Sequence, residues 1–148
     1  MSSVYAHRLM VPSAAIDANG HVGNLEYLRW MQDAAVAHSD AVGWTTERYR
    51  ALGGTWVVRG HRIEYRQPAF EGQELVVQTW VTGFGRVQSQ RRYRVWRPAD
   101  RAVLAIGETD WVFLDLAKGR PRSIPEELAA SFSAYGIEQD PPLDETPE

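Results

Sequence analysis

The chain contains no cysteine. It can therefore build no disulfide framework, no thiolate metal site and no cysteine nucleophile. Lysine is almost missing as well: fifteen of the sixteen basic residues are arginine, Lys118 being the exception. Arginine suits bidentate contacts to phosphate, but a compositional bias toward arginine explains the same count, so the count selects no partner. No apolar run approaches the ~18 residues a membrane-spanning helix needs, and the first residues lack a basic-then-apolar leader pattern. The expectation is a cytoplasmic location and no membrane partner. His7, His38 and His61 are scattered at no ligand spacing, so no metal site is expected. There is no Gly-x-Ser-x-Gly elbow, which argues against a serine hydrolase of that type. Gly83-Phe84-Gly85-Arg86 is too short, and follows the wrong element, for a dinucleotide-binding turn.

What is present fits one domain. A length of 148 residues, 44% of them hydrophobic and 24% charged, suffices to bury a core. The net charge of −3 is concentrated at the C-terminus, where Glu138, Asp140, Asp144, Glu145 and Glu148 meet no basic residue and leave the remainder at +2. That balance gives no reason to expect a nucleic-acid partner. Residues 1–134 read as the folded domain, and the acidic, proline-containing tail 135–148 reads as disordered.

Val4–Met10 reads as a first strand, followed by a loop through Pro12 to Ala18. A long helix begins near Asn24, a good N-cap, and ends at Gly43 in the C′ role. Its polar residues Glu26, Arg29, Asp33 and Asp40 form one narrow stripe, while apolar residues from Leu25 to Val42 cover the rest. Such a helix is expected to be buried on most sides. Thr45–Leu52 reads as a short surface helix closed by Gly53-Gly54. Four strand-like runs follow. Thr55–Gln67 is interrupted at Gly60, a bulge signal; Leu75–Thr82 ends in a Gly-x-Gly hairpin turn. In Arg86–Arg97, Val87, Ser89, Arg91, Tyr93 and Val95 alternate with the opposite face; Ala102–Leu116 is the longest apolar run. Ser123-x-x-Glu126 has the form of a capping box opening a helix to about Phe132. A central helix followed by hairpin-linked strands indicates an α+β domain with an antiparallel sheet.

The segment from Asp17 to Trp30 carries the chemistry. It places a carboxylate, a glycine-rich turn and a helix start within eight residues. A carboxylate can act as base or nucleophile toward a carbonyl, and free N–H groups at a helix start can hold the oxyanion. Asp17 also suits a plain Asx-turn with Asn19 and Gly20.

Asp17-x-x-Gly20-His21-Val22-x-Asn24-x-x-Tyr27-Leu28 resembles the signature of hotdog-fold acyl-CoA thioesterases of the 4-hydroxybenzoyl-CoA thioesterase type. The resemblance runs from about Val4 to about Phe132 and includes Ile63-x-Tyr65-x-x-Pro68-Ala69 and Gly72-x-Glu74-Leu75. Two positions depart from the family pattern: Ala15 stands where a second Asp is common, and Gly23 where the first Asn of an Asn-Asn pair is usual. The resemblance implies a hotdog fold, a five-stranded antiparallel sheet wrapped around the long helix. It implies Asp17 as base or nucleophile, the backbone N–H of Asn24 or Gly23 as oxyanion donor, and His21 in an orienting role. Tyr27 and Trp56 become candidates for an acyl pocket, although core packing explains each. Arg86, and more weakly Arg59, Arg91 and Arg92, become candidates for CoA phosphate contacts. No cofactor is implied, CoA being part of the substrate, and the assembly implied is a homodimer or homotetramer with sites between subunits. The rival readings are an acyl-carrier-protein thioesterase, a non-catalytic acyl-CoA-binding domain, and a hydratase, which needs a His–carboxylate pair spaced differently.

Overall fold

The structure, a computed structural model, describes residues 4–135 and 140–144. Its elements follow the alternation of the sequence closely. Strand β1 spans Val4–Met10, helix α1 Asn24–Ala41, helix α2 Thr46–Leu52 and strand β2 Gly54–Tyr65. Strands β3 (Glu74–Phe84), β4 (Gln88–Arg97) and β5 (Ala102–Asp115) come next, and helix α3 (Glu126–Phe132) ends the series. The strands form one antiparallel sheet in the order β1-β3-β4-β5-β2. The chain is thus an α+β domain with the hotdog arrangement, and the Gly60 interruption appears as a register shift between Val58 and Gly60.

Helix α1 lies on the inner face of the sheet. Tyr27, Trp30, Met31, Ala34, Ala35 and His38 are its buried residues, one stripe at three- and four-residue spacing. They pack with Leu75 and Val77 of β3, Tyr93 and Val95 of β4 and Ala105 of β5. Close seating depends on Gly107: a Cβ there would stand 2.8 Å from Met31 Sδ and 3.4 Å from the Arg62 carbonyl oxygen. The helix packs chiefly over β3 and β1. Leu25 and Val36 are 76% and 58% exposed. The expectation of burial on most sides therefore does not hold within one protomer, because one sheet covers one face of a helix.

Two cap assignments also change. Gly23, not Asn24, is the N-cap of α1, and no side chain caps it. Pro125 is the N-cap of α3, and the Ser123 hydroxyl instead accepts a hydrogen bond from Arg86 Nη1 at 3.1 Å. Thr45 does cap α2, accepting from the Arg48 N–H, and Gly53 closes it at φ +81°.

The outer face carries the largest departure. Residues 140–144 lie against it, although the tail reads as disordered from its composition. The Pro141 carbonyl accepts from Arg94 Nη2, and the Pro142 carbonyl accepts from Gln78 Nε2 at 2.9 Å. Leu143 packs on a buried cluster of Ala6, Val76 and Trp96, and Asp140 lies 3.9 Å from Arg92. The reason is local: two prolines supply carbonyl acceptors to a buried arginine and amide while giving up little chain entropy. The expectation for 136–139 and 145–148 falls outside the described residues. Removing everything after Tyr135 should cost about 1–2 kcal/mol, roughly 3–8 °C in Tm. Calorimetry of the truncated chain checks this, and an unchanged Tm would contradict the docking.

Candidate active site

Asp17 sits in a tight loop pinned at both ends. An isolated antiparallel bridge joins Ile16 to Val22, and the Asp17 N–H donates to the His21 carbonyl at 2.9 Å. Val22 N–H donates to Ala69 O at 2.9 Å and Gly23 N–H to Ala15 O at 3.0 Å. Gly20, at φ +84°, makes the turn. The Asx-turn is real: Asn19 N–H donates to Asp17 Oδ1 at 2.8 Å. It occupies one carboxylate oxygen. The other points toward the helix start, where a Cβ on Gly23 would stand 3.8 Å from Oδ2. Turn residue and reactive carboxylate are therefore compatible in one side chain.

The helix start decides between the two oxyanion donors. The N–H of Gly23 is consumed by Ala15, so Gly23 does not serve. No side chain caps α1, and the N–H of Asn24 has no acceptor among the described residues. The Asn24 side chain is exposed, and its carbonyl accepts from Tyr65 Oη at 3.0 Å. An uncapped N-terminus with the positive end of the helix dipole beside Asp17 is a ready anion site. His21 Nδ1 lies 3.2 Å from the Val22 carbonyl and 3.9 Å from Asp17 Oδ1. Its hydrogen bond is to the backbone; at that distance it makes none to the carboxylate.

The remaining candidates divide by position. Tyr27 is 3% exposed, edge-on to Trp30 and Tyr65, and burial raises its phenol pKa. It is a core residue beneath the helix start. Trp56, Arg59 and Arg86 lie toward the opposite end of the sheet. Tyr65 touches the helix start, and Trp56 lies nine residues back along β2, about 30 Å at ~3.3 Å per residue. Trp56 lines a cavity of about 240 Å³ with Trp44, Tyr49, Phe84 and Phe132, and its Nε1 donates to Tyr49 Oη at 3.0 Å. Arg59 borders a separate cleft with Gly83, Gly85 and Asp110, and Arg86 is held by Ser123. One protomer therefore does not bring Asp17 together with Trp56, Arg59 or Arg86. Among the described residues no three His, Asp or Glu side chains converge as metal ligands.

Sequence reasoning missed an internal pair. Arg91 is 5% exposed and lies inside the fold, not on a phosphate-facing surface. Its Nη1 donates to His38 Nδ1 at 2.9 Å and to Thr79 Oγ1 at 3.0 Å. His38 is stacked on Tyr5 and edge-on to Phe132. Burial first, and the Arg91 charge second, lower its pKa to about 3. A signal was available in both cases: Arg91 falls on the same face as Tyr93 and Val95, and His38 falls four residues after Ala34 on the apolar stripe.

The family model of the Thioesterase-like superfamily matches residues 11–132. The chain belongs to that superfamily. Among curated proteins it is 22% identical to the chloroplastic palmitoyl-acyl carrier protein thioesterase of Gossypium hirsutum, over 96% of this chain and 36% of that protein. The chain thus spans little more than a third of the length of that relative. Among solved structures it resembles a 1,4-dihydroxy-2-naphthoyl-CoA thioesterase of Synechocystis at TM-score 0.80 and 17% identity, over 87% of this chain and 95% of that one. It also resembles a Staphylococcus aureus protein in complex with CoA at TM-score 0.84 and 16% identity, over 95% and 88% of the two chains.

The low His38 pKa has a consequence for stability. The unfolded histidine protonates near 6.5 and the folded one near 3, so acid favours the unfolded chain. Stability from this residue is complete above pH 6.5 and is lost as pH falls toward 3. The loss by pH 5 should be about 2 kcal/mol. Denaturant titrations at pH 7 and pH 5 check it: His38→Gln should flatten the difference by that amount, and an equal slope in both proteins would refute it.

Proposed function

We propose that this chain hydrolyses a small, medium-chain or aromatic acyl-CoA to the free acid and CoA, in the manner of the 4-hydroxybenzoyl-CoA type. The observation that carries this is the free Asp17 oxygen beside the uncapped start of α1. With the thioester carbonyl oxygen at the Asn24 N–H, attack creates an oxyanion where a positive dipole end and an unpaired donor await it. Asp17 either takes the proton of an attacking water or attacks the carbonyl carbon itself. In the first route water adds to the carbonyl, the C–S bond breaks and the proton held by Asp17 passes to the departing thiolate. In the second the C–S bond breaks as an acyl anhydride forms on Asp17, and water hydrolyses that anhydride to the acid. Thiolate is a good leaving group, so no strong general acid is needed and no cofactor enters. The CoA-bound structural neighbour supports CoA as carrier; the cotton relative supports acyl-carrier protein as the alternative.

The assembly we infer is a homodimer or a dimer of dimers. Strand β2 is a twelve-residue sheet edge, exposed along much of its length. Val57 and Val58 on it are 38% and 37% exposed, in addition to Leu25 and Val36 on α1. An edge of that length, bearing apolar residues, invites a second strand. Pairing there would also bring a second chain to the open half of the inner face.

Two measurements test these readings. Asp17→Asn should keep the fold and lower kcat by at least about 100-fold with little change in KM. Full activity in the folded variant would sink the mechanism. Sedimentation should give a dimer or larger at micromolar concentration, and Val58→Asp should dissociate it. A monomer of 16.7 kDa with full activity would refute the shared-site arrangement.

A further inference from the structure

The guanidinium of Arg91 is a buried cation that the fold around it satisfies only in part. Both of its hydrogen bonds leave from Nη1 and end on neutral acceptors, His38 Nδ1 and Thr79 Oγ1. Its Nε and Nη2 have no acceptor among the described residues. The groups whose charge would reach it are the phenols of Tyr93 and Tyr49, which are uncharged at neutral pH. No carboxylate lies within ion-pair distance of it among the described residues. A buried cation is costly unless paired and hydrogen-bonded.

This cation lines the 240 Å³ cavity that holds Trp56. Apolar and aromatic side chains make up most of the cavity wall, and the hydroxyls of Ser39 and Tyr49 are bonded to each other at 3.1 Å. A void of ~150 Å³ already accepts benzene, so the space suits one ring or a short chain. Asp40 also lines the cavity, but its side chain is exposed to solvent and forms no ion pair with Arg91. An apolar chamber with one buried, half-satisfied fork of donors has the character of a ligand site completed by an anion.

We propose that this cavity binds a small carboxylic acid with an aromatic or apolar body, its carboxylate taken by the free edge of Arg91. The carboxylate has two possible sources: a free acid of the kind thioester hydrolysis releases, or an acyl thioester bearing a second carboxylate at its far end. Arg91 is the specificity-determining residue in either case. The inference does not depend on Asp17, which lies at the other end of α1.

Tryptophans 44, 56 and 111 line the cavity and report its occupancy. Titration of the whole chain with benzoate should give a saturable fluorescence change, confirmed by calorimetry, and the near-isosteric neutral benzamide should bind at least tenfold more weakly. Arg91→Met should bind both probes equally weakly and melt no lower than the unaltered protein, since it removes an unpaired buried charge. Arg91→Lys, which keeps the charge and loses the fork, should weaken benzoate several-fold and serves if the methionine variant does not fold. Asp17→Asn should bind benzoate unchanged, so failure of the hydrolytic mechanism and failure of this site are told apart. Equal affinity for benzoate and benzamide, benzoate affinity retained in Arg91→Met, or no saturable binding at millimolar benzoate would each overturn the proposal. The source is read from hydrolysis of paired CoA thioesters of a monocarboxylic and a dicarboxylic acid of equal length. A preference for the dicarboxylic ester that disappears in Arg91→Met places the carboxylate on the substrate; no preference in either protein places it on a free acid.

Discussion

The seating of one helix on one half of one sheet governs the rest of this molecule. Met31 enters the space left by Gly107, and the buried stripe from Tyr27 to His38 closes over β3 and β1. That contact fixes where the start of α1 falls, and with it the loop pinned between Ala15, Val22 and Ala69 that presents Asp17. The same contact leaves much of β2 exposed, with only the short helix α2 packed against its start. A close-packed core on one side and an uncovered apolar surface on the other follow from a single packing decision.

Much of this was legible in the chain. The strand limits, the Gly60 irregularity and the C-terminal glycine of α1 follow from period-two alternation and from the conformational demands of glycine, both of which are local. The misses have a common cause, which is that a partner distant in sequence wins over local propensity. Asn24 is a good N-cap by residue type, but Gly23 takes the N-cap position, its N–H committed to the Ala15 carbonyl. Ser123 has the spacing of a capping box, yet Arg86, thirty-seven residues earlier, captures its hydroxyl. The tail composition predicts disorder, and the unmet acceptor needs of Arg94 and Gln78 place part of it. For Ser123 and for the tail, no short window of the sequence contains both halves of the pair.

The arginines show how little a count reveals without position. Arg91 and Arg94 both lie on β4, three residues apart and therefore on opposite faces. Both are buried, and for both burial lowers the guanidinium pKa. Arg94 is answered by Gln78 and the Pro141 carbonyl, so its face is closed by the protein's own chain. Arg91 is answered only in part. The residue type is the same; the difference is whether the fold supplies enough acceptors.

That contrast bears on how the two ends of α1 relate. Within one protomer the Asp17 carboxylate and the Arg91 cavity are separated by most of the helix. A two-fold pairing of β2 edges runs the partner's strand in the opposite direction, so the Trp56 end of one chain faces the Tyr65 end of the other. In such a dimer, which is the assembly proposed above, the cavity of one subunit would be carried toward the Asp17 loop of its partner. In the dimer proposed above, the Asp17 carboxyl and the Arg91 guanidinium, separate in one protomer, would stand at two ends of one chamber. A ligand with a reactive carbonyl at one end and an acid at the other would span it. On that proposed pairing, one contact between β2 edges would complete both sites at once.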